Sequence, residues 1–309
     1  MESPLKGVKI FANSLERGKK FFKFFQSRFL PCLAMTAILP FSGTCQQDWK
    51  EVWSDHFSGN SLDTKNWKFE TGTGESGWGN NEFQYYTGET SNLQVSAGEL
   101  RIIARKEEKD GKQFTSARIK SQDLQSFQYG RIEASIKLPW GKGIWPAFWM
   151  LGQNHAKIGW PKCGEIDIME HVNELPELNG TIHWDSSGRK YHGGTTVLPN
   201  RDKFHLYAVE WDENKIVWTL DGNAYWTEDI SQKVPSRNEF HHPFYLLFNL
   251  AVGGDWPGSP DSTSIFPDTM HVDFVRVLKK QITGRKSKNP VKKNKIEAIR
   301  NEQELRSKS

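Results

Sequence analysis

Cysteine is scarce: the 309 residues contain three, Cys32, Cys45 and Cys163. Cys32 lies in an N-terminal segment that reads as an export signal, and if Cys45 carries a lipid, Cys163 stands alone. That excludes a disulfide framework, so the folded part must be held together by buried apolar surface. Cys163 is also a poor nucleophile, because the acids that follow it disfavour a thiolate, and packing is its expected role. The chain lacks a membrane-spanning run as well, since the apolar stretch 29–41 is too short and is broken by proline. Long helix-period patterns, internal repeats and alternating strand and helix units are missing too, which excludes barrels built on parallel strands.

The net charge of +4 is small and conceals a partition. Residues 1–45 carry +5 and residues 281–309 carry +6, leaving −7 for the middle of the chain. A basic pI ordinarily raises nucleic acid as a partner. Here the basic residues sit in the terminal segments and the folded part is acidic, so nucleic acid is excluded. Arg17, Lys19, Lys20, Lys23 and Arg28 precede the stretch 29–41 as the basic region of an export signal spanning 1–45. It ends at Ser42-Gly43-Thr44-Cys45-Gln46, which resembles a bacterial lipoprotein cleavage site with Cys45 as the lipidated residue; plain secretion is the alternative. An extracytoplasmic chain is expected either way, reaching a membrane only through that lipid. Residues 281–309 read as a solvated basic tail, with a short unpacked helix at 296–306.

Aromatic residues are abundant: thirteen Trp and nineteen Phe accompany 26 Gly, which suits a sheet protein with an aromatic-lined surface. From Trp49 onward, strand-like runs follow at 93–95, 100–105, 117–121, 130–138, 147–151, 165–171, 206–212, 216–221, 244–250 and 272–278. Asp212-Glu213-Asn214-Lys215 and Asp221-Gly222-Asn223 read as hairpin turns, the second through residues that tolerate positive φ. The pairing they imply brings Trp211 near Trp218. One large all-β domain, an antiparallel sandwich or jelly roll, is the expected fold.

Gly164-Glu165-Ile166-Asp167-Ile168-Met169-Glu170-His171 places three carboxylates in six residues of an apolar run. Strand side chains alternate faces, so Glu165 and Asp167 share one face and Ile166 and Ile168 the other. Glu170 faces the wrong way unless one extra residue, at Ile168 or Met169, is absorbed in a β-bulge. With the bulge, all three acids share a face. Glu165 and Glu170 are then roughly 13 Å apart at Cα, and their side chains leaning together bring the carboxyls to about 5 Å, as in retaining glycosidases. One serves as nucleophile and the other as acid/base, while Asp167 helps keep one ionised and the other protonated. Two readings compete. A solvated acidic edge strand is disfavoured because Ile and Met stand where surface Lys and Arg are usual. A metal site of the acids with His171 is disfavoured because no second ligand cluster follows at diagnostic spacing.

Trp recurs beside amides, His and Gly at 78–86, 143–149, 182–184 and 249–256, a mixture that meets both the flat faces and the hydroxyls of sugars. At these motifs the sequence resembles glycoside hydrolase family 16, and within it the bacterial laminarinases, which are endo-acting β-1,3-glucanases. Residues 164–170 match the family's signature in its bulged form. Trp-Gly-Asn-Asn-Glu at 78–82, Trp-Pro-Ala-Phe-Trp-Met at 145–150 and Asn-Leu-Ala-Val-Gly-Gly at 249–254, followed by Trp256-Pro257-Gly258, carry the rest.

The resemblance implies a catalytic domain at 46–280 on a curved antiparallel jelly-roll β-sandwich with a concave substrate-binding cleft. It implies Glu165 as nucleophile, Glu170 as acid/base and Asp167 as the assisting acid. Trp145 and Trp149 line the groove, with Asn81, Arg118, His183, Trp184, Asn249 and Trp256 as contacts to a β-glucan. Catalysis needs no cofactor. Many relatives hold a structural calcium on the convex face, and Asp273, Gly98 and a residue near Asp55 occupy comparable places here. A monomer is expected. A glucan-binding protein without activity and a transglycosylase are the alternatives on the same fold; the intact acids speak against the first.

Overall fold

The computed structural model describes residues 49–281. The export segment with Cys45, the basic tail and the helix expected at 296–306 lie outside the described residues. Two sheets stack into a sandwich of the jelly-roll type. The seven-stranded sheet runs, edge to edge, Arg189–Val197, Glu177–Asp185, Glu165–His171, Ile144–Gly152, Phe244–Val252, Arg118–Lys120 and Lys68–Glu70. The ten-stranded sheet runs Asn223–Asp229, Lys215–Leu220, His205–Trp211, Gly130–Lys137, Asp268–Lys280, Glu99–Lys109, Lys112–Ser116 and Gln84–Tyr86, with Trp49–Asp55 paired to Asp268–Lys280 and Leu93–Ser96 to Glu99–Lys109. Pairing is antiparallel except between Gln84–Tyr86 and Lys112–Ser116, which are parallel. Among the described residues no helix is long and apolar enough to cross a membrane.

The core lies between the sheets. Ile166, Ile168, Met169, Phe148 and Phe248 of one meet Ile132, Ile136, Val209, Trp218 and Val275 of the other in one buried cluster. Phe244–Val252 is buried at all nine positions, as a central strand covered on both faces must be. Both expected hairpin turns form: Asp212 Oδ1 accepts from the Asn214 and Lys215 N–H groups at 2.8 and 3.0 Å, and Asp221 and Gly222 take φ of 51° and 79°. Trp211 and Trp218 are both buried, but the ring partner of Trp218 is Trp226, at 4.2 Å between centroids, while Trp211 packs edge-on against Tyr129 and Phe244. Glycine permits the layer contact here. A Cβ on Gly180 would stand 2.4 Å from the Trp218 ring, so only glycine lets this indole press against the facing sheet.

Candidate active site

The strand Glu165–His171 carries the predicted bulge. Against Ile144–Gly152, Asp167 pairs with Trp149 and Met169 with Phe148, so Ile168 is the extra residue. Against Glu177–Asp185 the ladder slips at the same place, from Asp167↔Thr181 to Glu170↔Asn179. Ile168 and Met169, adjacent in sequence, both enter the core, and Glu170 is thereby returned to the face of Glu165 and Asp167. The Asp167 carbonyl, at the slip, accepts the Trp218 indole N–H at 2.8 Å.

The two glutamates have different indole donors, and Asp167 has a histidine beside it. Trp160 Nε1 donates to Glu165 Oε2 at 2.8 Å, and Trp145 Nε1 donates to Glu170 Oε1 at 3.1 Å. His183 Nε2 stands 3.3 Å from Asp167 Oδ2 and 3.7 Å from Glu165 Oε1. Burial, then the Asp167 charge, push the Glu165 carboxyl up to about 8 against the pull of His183 and the Trp160 N–H. Burial pushes Asp167 up to about 8 as well, opposed by its hydrogen bond with Glu165 and by Arg189. Glu170 is raised well above the ordinary carboxylate range by burial and by both neighbouring acids. The pattern favours a protonated Glu170 beside a Glu165 that has the better support for its charge. Glu165, Asp167 and His183 also offer ligand atoms within 4.8 Å of one another, a set that could bind a metal ion. His171 is not part of it: its ring stacks on Trp140 and its Nε2 lies 2.7 Å from the Leu175 carbonyl.

The aromatic wall forms around these acids. Trp145 meets Trp256 edge-on at 5.3 Å, and Trp256 is 44% exposed. Asn81 Nδ2 donates to both Asp255 carboxylate oxygens, at 3.0 and 3.2 Å, fastening the loop that carries Trp256. Arg118 is not a free hydrogen-bonding arm. Its guanidinium is stacked between Trp78 and Trp149, 4.6 and 4.8 Å from their centroids, and its Nε donates to Glu70 Oε2 at 2.5 Å. Burial opposes ionisation of Glu70, but Arg118 and Lys120 prevail and hold its carboxyl below the usual range.

Two expectations need correction. Trp184 is 6% exposed and lies in the core with Arg237 over its ring, because it alternates with the cleft-facing His183. Asn249, also 6% exposed, stands behind Trp149, accepting its indole N–H at 2.7 Å and donating to Tyr86 Oη at 3.1 Å, so both ends of its amide are taken. Asp55 turns its carboxylate to the Phe57 N–H and the Trp67 indole, at 2.9 and 2.8 Å. The carbonyl of the neighbouring His56 lies 3.9 Å from where a Gly98 Cβ would stand. Asp273 is exposed at a register slip between Val272 and Phe274, beside the strand partners of both segments. Carbonyl and carboxylate oxygens are the ligand types that suit a hard cation. Cys163 is buried, and burial and Glu165 push its thiol up to about 12, which agrees with packing.

Trp160, Tyr86 and Trp218 escaped sequence reasoning. Trp160 has a local signal, Gly159 and Pro161 flanking it in a turn five residues before Glu165, and Tyr86 closes the aromatic segment 78–86.

An all-β sandwich with an acid cluster on the floor of a Trp-lined cleft defines a protein built for carbohydrate. Residues 75–276 match the glycosyl hydrolases family 16, and the chain belongs to that family. It is 39% identical over 246 residues to the "Beta-glucanase" of Rhodothermus marinus, covering 75% of this chain and 85% of that protein. It is 41% identical over 238 residues to the "Clotting factor G alpha subunit" of Tachypleus tridentatus, covering 76% of this chain but only 35% of that longer protein. The catalytic domain of an endo-1,3-beta-glucanase (laminarinase) from Thermotoga petrophila superposes with a TM-score of 0.70 at 41% identity, covering 76% of this chain and 99% of that one.

Proposed function

We propose that this chain is a retaining endo-acting glycoside hydrolase that cleaves β-1,3-linked glucan. The observation that carries the reading is the bulged strand, which presents Glu165, Asp167 and Glu170 on one face with unequal hydrogen-bond support. The β-glucanase and the laminarinase among its relatives support the substrate.

Glu170, held protonated, donates to the departing glycosidic oxygen as Glu165 attacks the anomeric carbon. The C–O bond to the aglycone breaks, a covalent glycosyl ester forms on Glu165, and Glu170 is left ionised. It then takes a proton from water, which attacks the same carbon and releases Glu165. Two displacements preserve the anomeric configuration. Asp167, on the same face between Glu165 and Glu170, helps keep one carboxyl ionised and the other protonated. A structural calcium ion would be held by the His56 carbonyl, Gly98 and Asp273, and would supply charge neutralisation at the sheet corner, away from the acids. Export to the cell envelope belongs to the same reading, because a polymeric substrate stays outside the membrane.

The test is reducing-end release from laminarin, lichenan, agarose and carrageenan, with product configuration followed by NMR. Release from laminarin with retained configuration supports the reading. Binding without release favours a recognition protein, and inverted products would contradict the double displacement. Product lengthening at high acceptor concentration would identify a transglycosylase.

A further inference from the structure

The register of the seven-stranded sheet places three side chains in one line across the strands. Glu165 is directly opposite His183, and His183 is directly opposite Tyr191. Directly opposed residues share a face, so the line runs along the floor of the cleft from the acids to the sheet's edge. The His183 and Tyr191 rings are 6.0 Å apart, and the Trp160 ring also stands 6.0 Å from His183. Two strand spacings, roughly 10 Å, separate Tyr191 from Glu165, a distance spanned by one to two sugar rings.

The end of this line is unusually open and aromatic. Tyr191 is 70% exposed and Trp160 is 42% exposed. Arg189, two residues before Tyr191 and so on the same face, holds its guanidinium 5.0 Å over the Trp160 ring and 5.9 Å from the Tyr191 ring. Stacking occupies the flat faces of a guanidinium and leaves its N–H donors pointing outward at the edge. A bare aromatic face beside an oriented set of donors matches what a pyranose presents, an apolar C–H face rimmed by hydroxyls.

We propose that Tyr191 and Arg189 form a distal sugar-binding subsite, in which a β-glucan chain leaving the acid cluster stacks one residue on Tyr191 and hydrogen-bonds its hydroxyls to Arg189. This rests on the β-glucan reading of the cleft. The subsite acts on chain length: an oligosaccharide too short to reach the sheet edge does not touch it, and a longer one gains an additional contact. Tyr191 belongs to an exposed edge strand and is 70% exposed, so its truncation leaves the sandwich intact.

The experiment is calorimetric titration of Glu165→Gln protein with β-1,3-linked glucose oligomers of two to seven units, with and without Tyr191→Ala, beside a reducing-end assay of the wild-type enzyme. Tyr191→Ala should weaken the long oligomers about fivefold to tenfold and the shortest much less. Tyr191→Phe, which keeps the ring face, should bind as its parent does, and Arg189→Gln should reproduce the length-dependent loss. Equal affinities at every length, or an equal loss at every length, would overturn the subsite even in an active enzyme. A length-dependent loss in a protein that releases no reducing ends would keep the subsite and remove the hydrolase.

Discussion

The indole N–H of Trp218 donates to the main-chain carbonyl of Asp167 at 2.8 Å, from the ten-stranded sheet into the bulge of the catalytic strand. A bulge interrupts its ladder, and a carbonyl at the interruption needs another donor. Trp218 is fully buried and sits against Gly180, so no water substitutes for it. Trp218→Phe keeps the ring and removes the donor. The expected result is a loss of about 1–3 kcal/mol in unfolding free energy and a fall in kcat that exceeds the change in KM, because the acids shift relative to the substrate. Denaturant titration with steady-state kinetics on laminarin checks both; unchanged kcat would detach the bulge from Trp218.

Trp160 favours the ionised form of Glu165 through its N–H, so removing it must raise the carboxyl further. The acid limb of kcat/KM reports the free nucleophile, already pushed above its ordinary position by burial. In Trp160→Phe that limb should move to higher pH by about half to one unit, given the partial exposure of the indole. A limb that stays in place, or moves down, would show that another group governs it.

Grouping buried acids has a stability consequence with a definite sign. Burial pushes the Glu165 carboxyl up to about 8 and Glu170 well above its ordinary value, while both return to about 4.5 on unfolding. Above pH 4.5 the folded state therefore holds more protons than the unfolded one, and stability falls as pH rises through the folded values. Glu170→Gln removes one such group and its repulsion. The variant should have a higher Tm than wild type, with a gap that widens from pH 5 to pH 8. Melting curves across this range decide it; a constant gap would mean that packing alone is responsible.

Behind the cleft wall, Trp149 is held by Asn249, Asn249 by Tyr86, and Tyr86 by the buried Glu82, whose Oε2 accepts the tyrosine hydroxyl at 3.2 Å. Burial raises the Glu82 carboxyl in spite of donors from Asn80 and Gln84. Tyr86→Phe leaves one Asn249 donor unsatisfied, about 1–3 kcal/mol of lost stability, and loosens Trp149. An increase in KM for laminarin larger than the decrease in kcat is expected, together with a shift in tryptophan fluorescence. Kinetics and spectra identical to wild type would show that Trp149 is held by Arg118 alone.

The bulge was legible because parity is strict: three acids in six residues of a strand cannot share a face without one extra residue, and Ile168 is that residue. Both hairpin turns were legible through Asp212 and through Asp221-Gly222. Arg189–Val197 was not, since an exposed edge strand with Gly193 and Gly194 shows neither alternation nor an apolar run. Glu177–Asp185 was missed for a related reason, as Gly180 and Asn179 interrupt its pattern. The resemblance implies Trp184 and Asn249 as cleft residues, whereas strand parity sends Trp184 inward and hydrogen bonding draws Asn249 behind Trp149. Relations between distant residues, such as Trp218 with Asp167 or Arg118 with Trp149, depend on how two sheets stack and leave no mark in local sequence.

The central claim is that Glu165 forms a bond to the sugar. Incubation with a 2-deoxy-2-fluoro β-1,3-glucobiosyl fluoride, followed by peptide mass spectrometry, tests it most directly, because the fluorine slows release of the ester. A single glycosyl adduct on Glu165 is the predicted result, with Glu170 unmodified. An adduct on Glu170 would contradict the assignment, as would complete turnover with inverted product and no adduct.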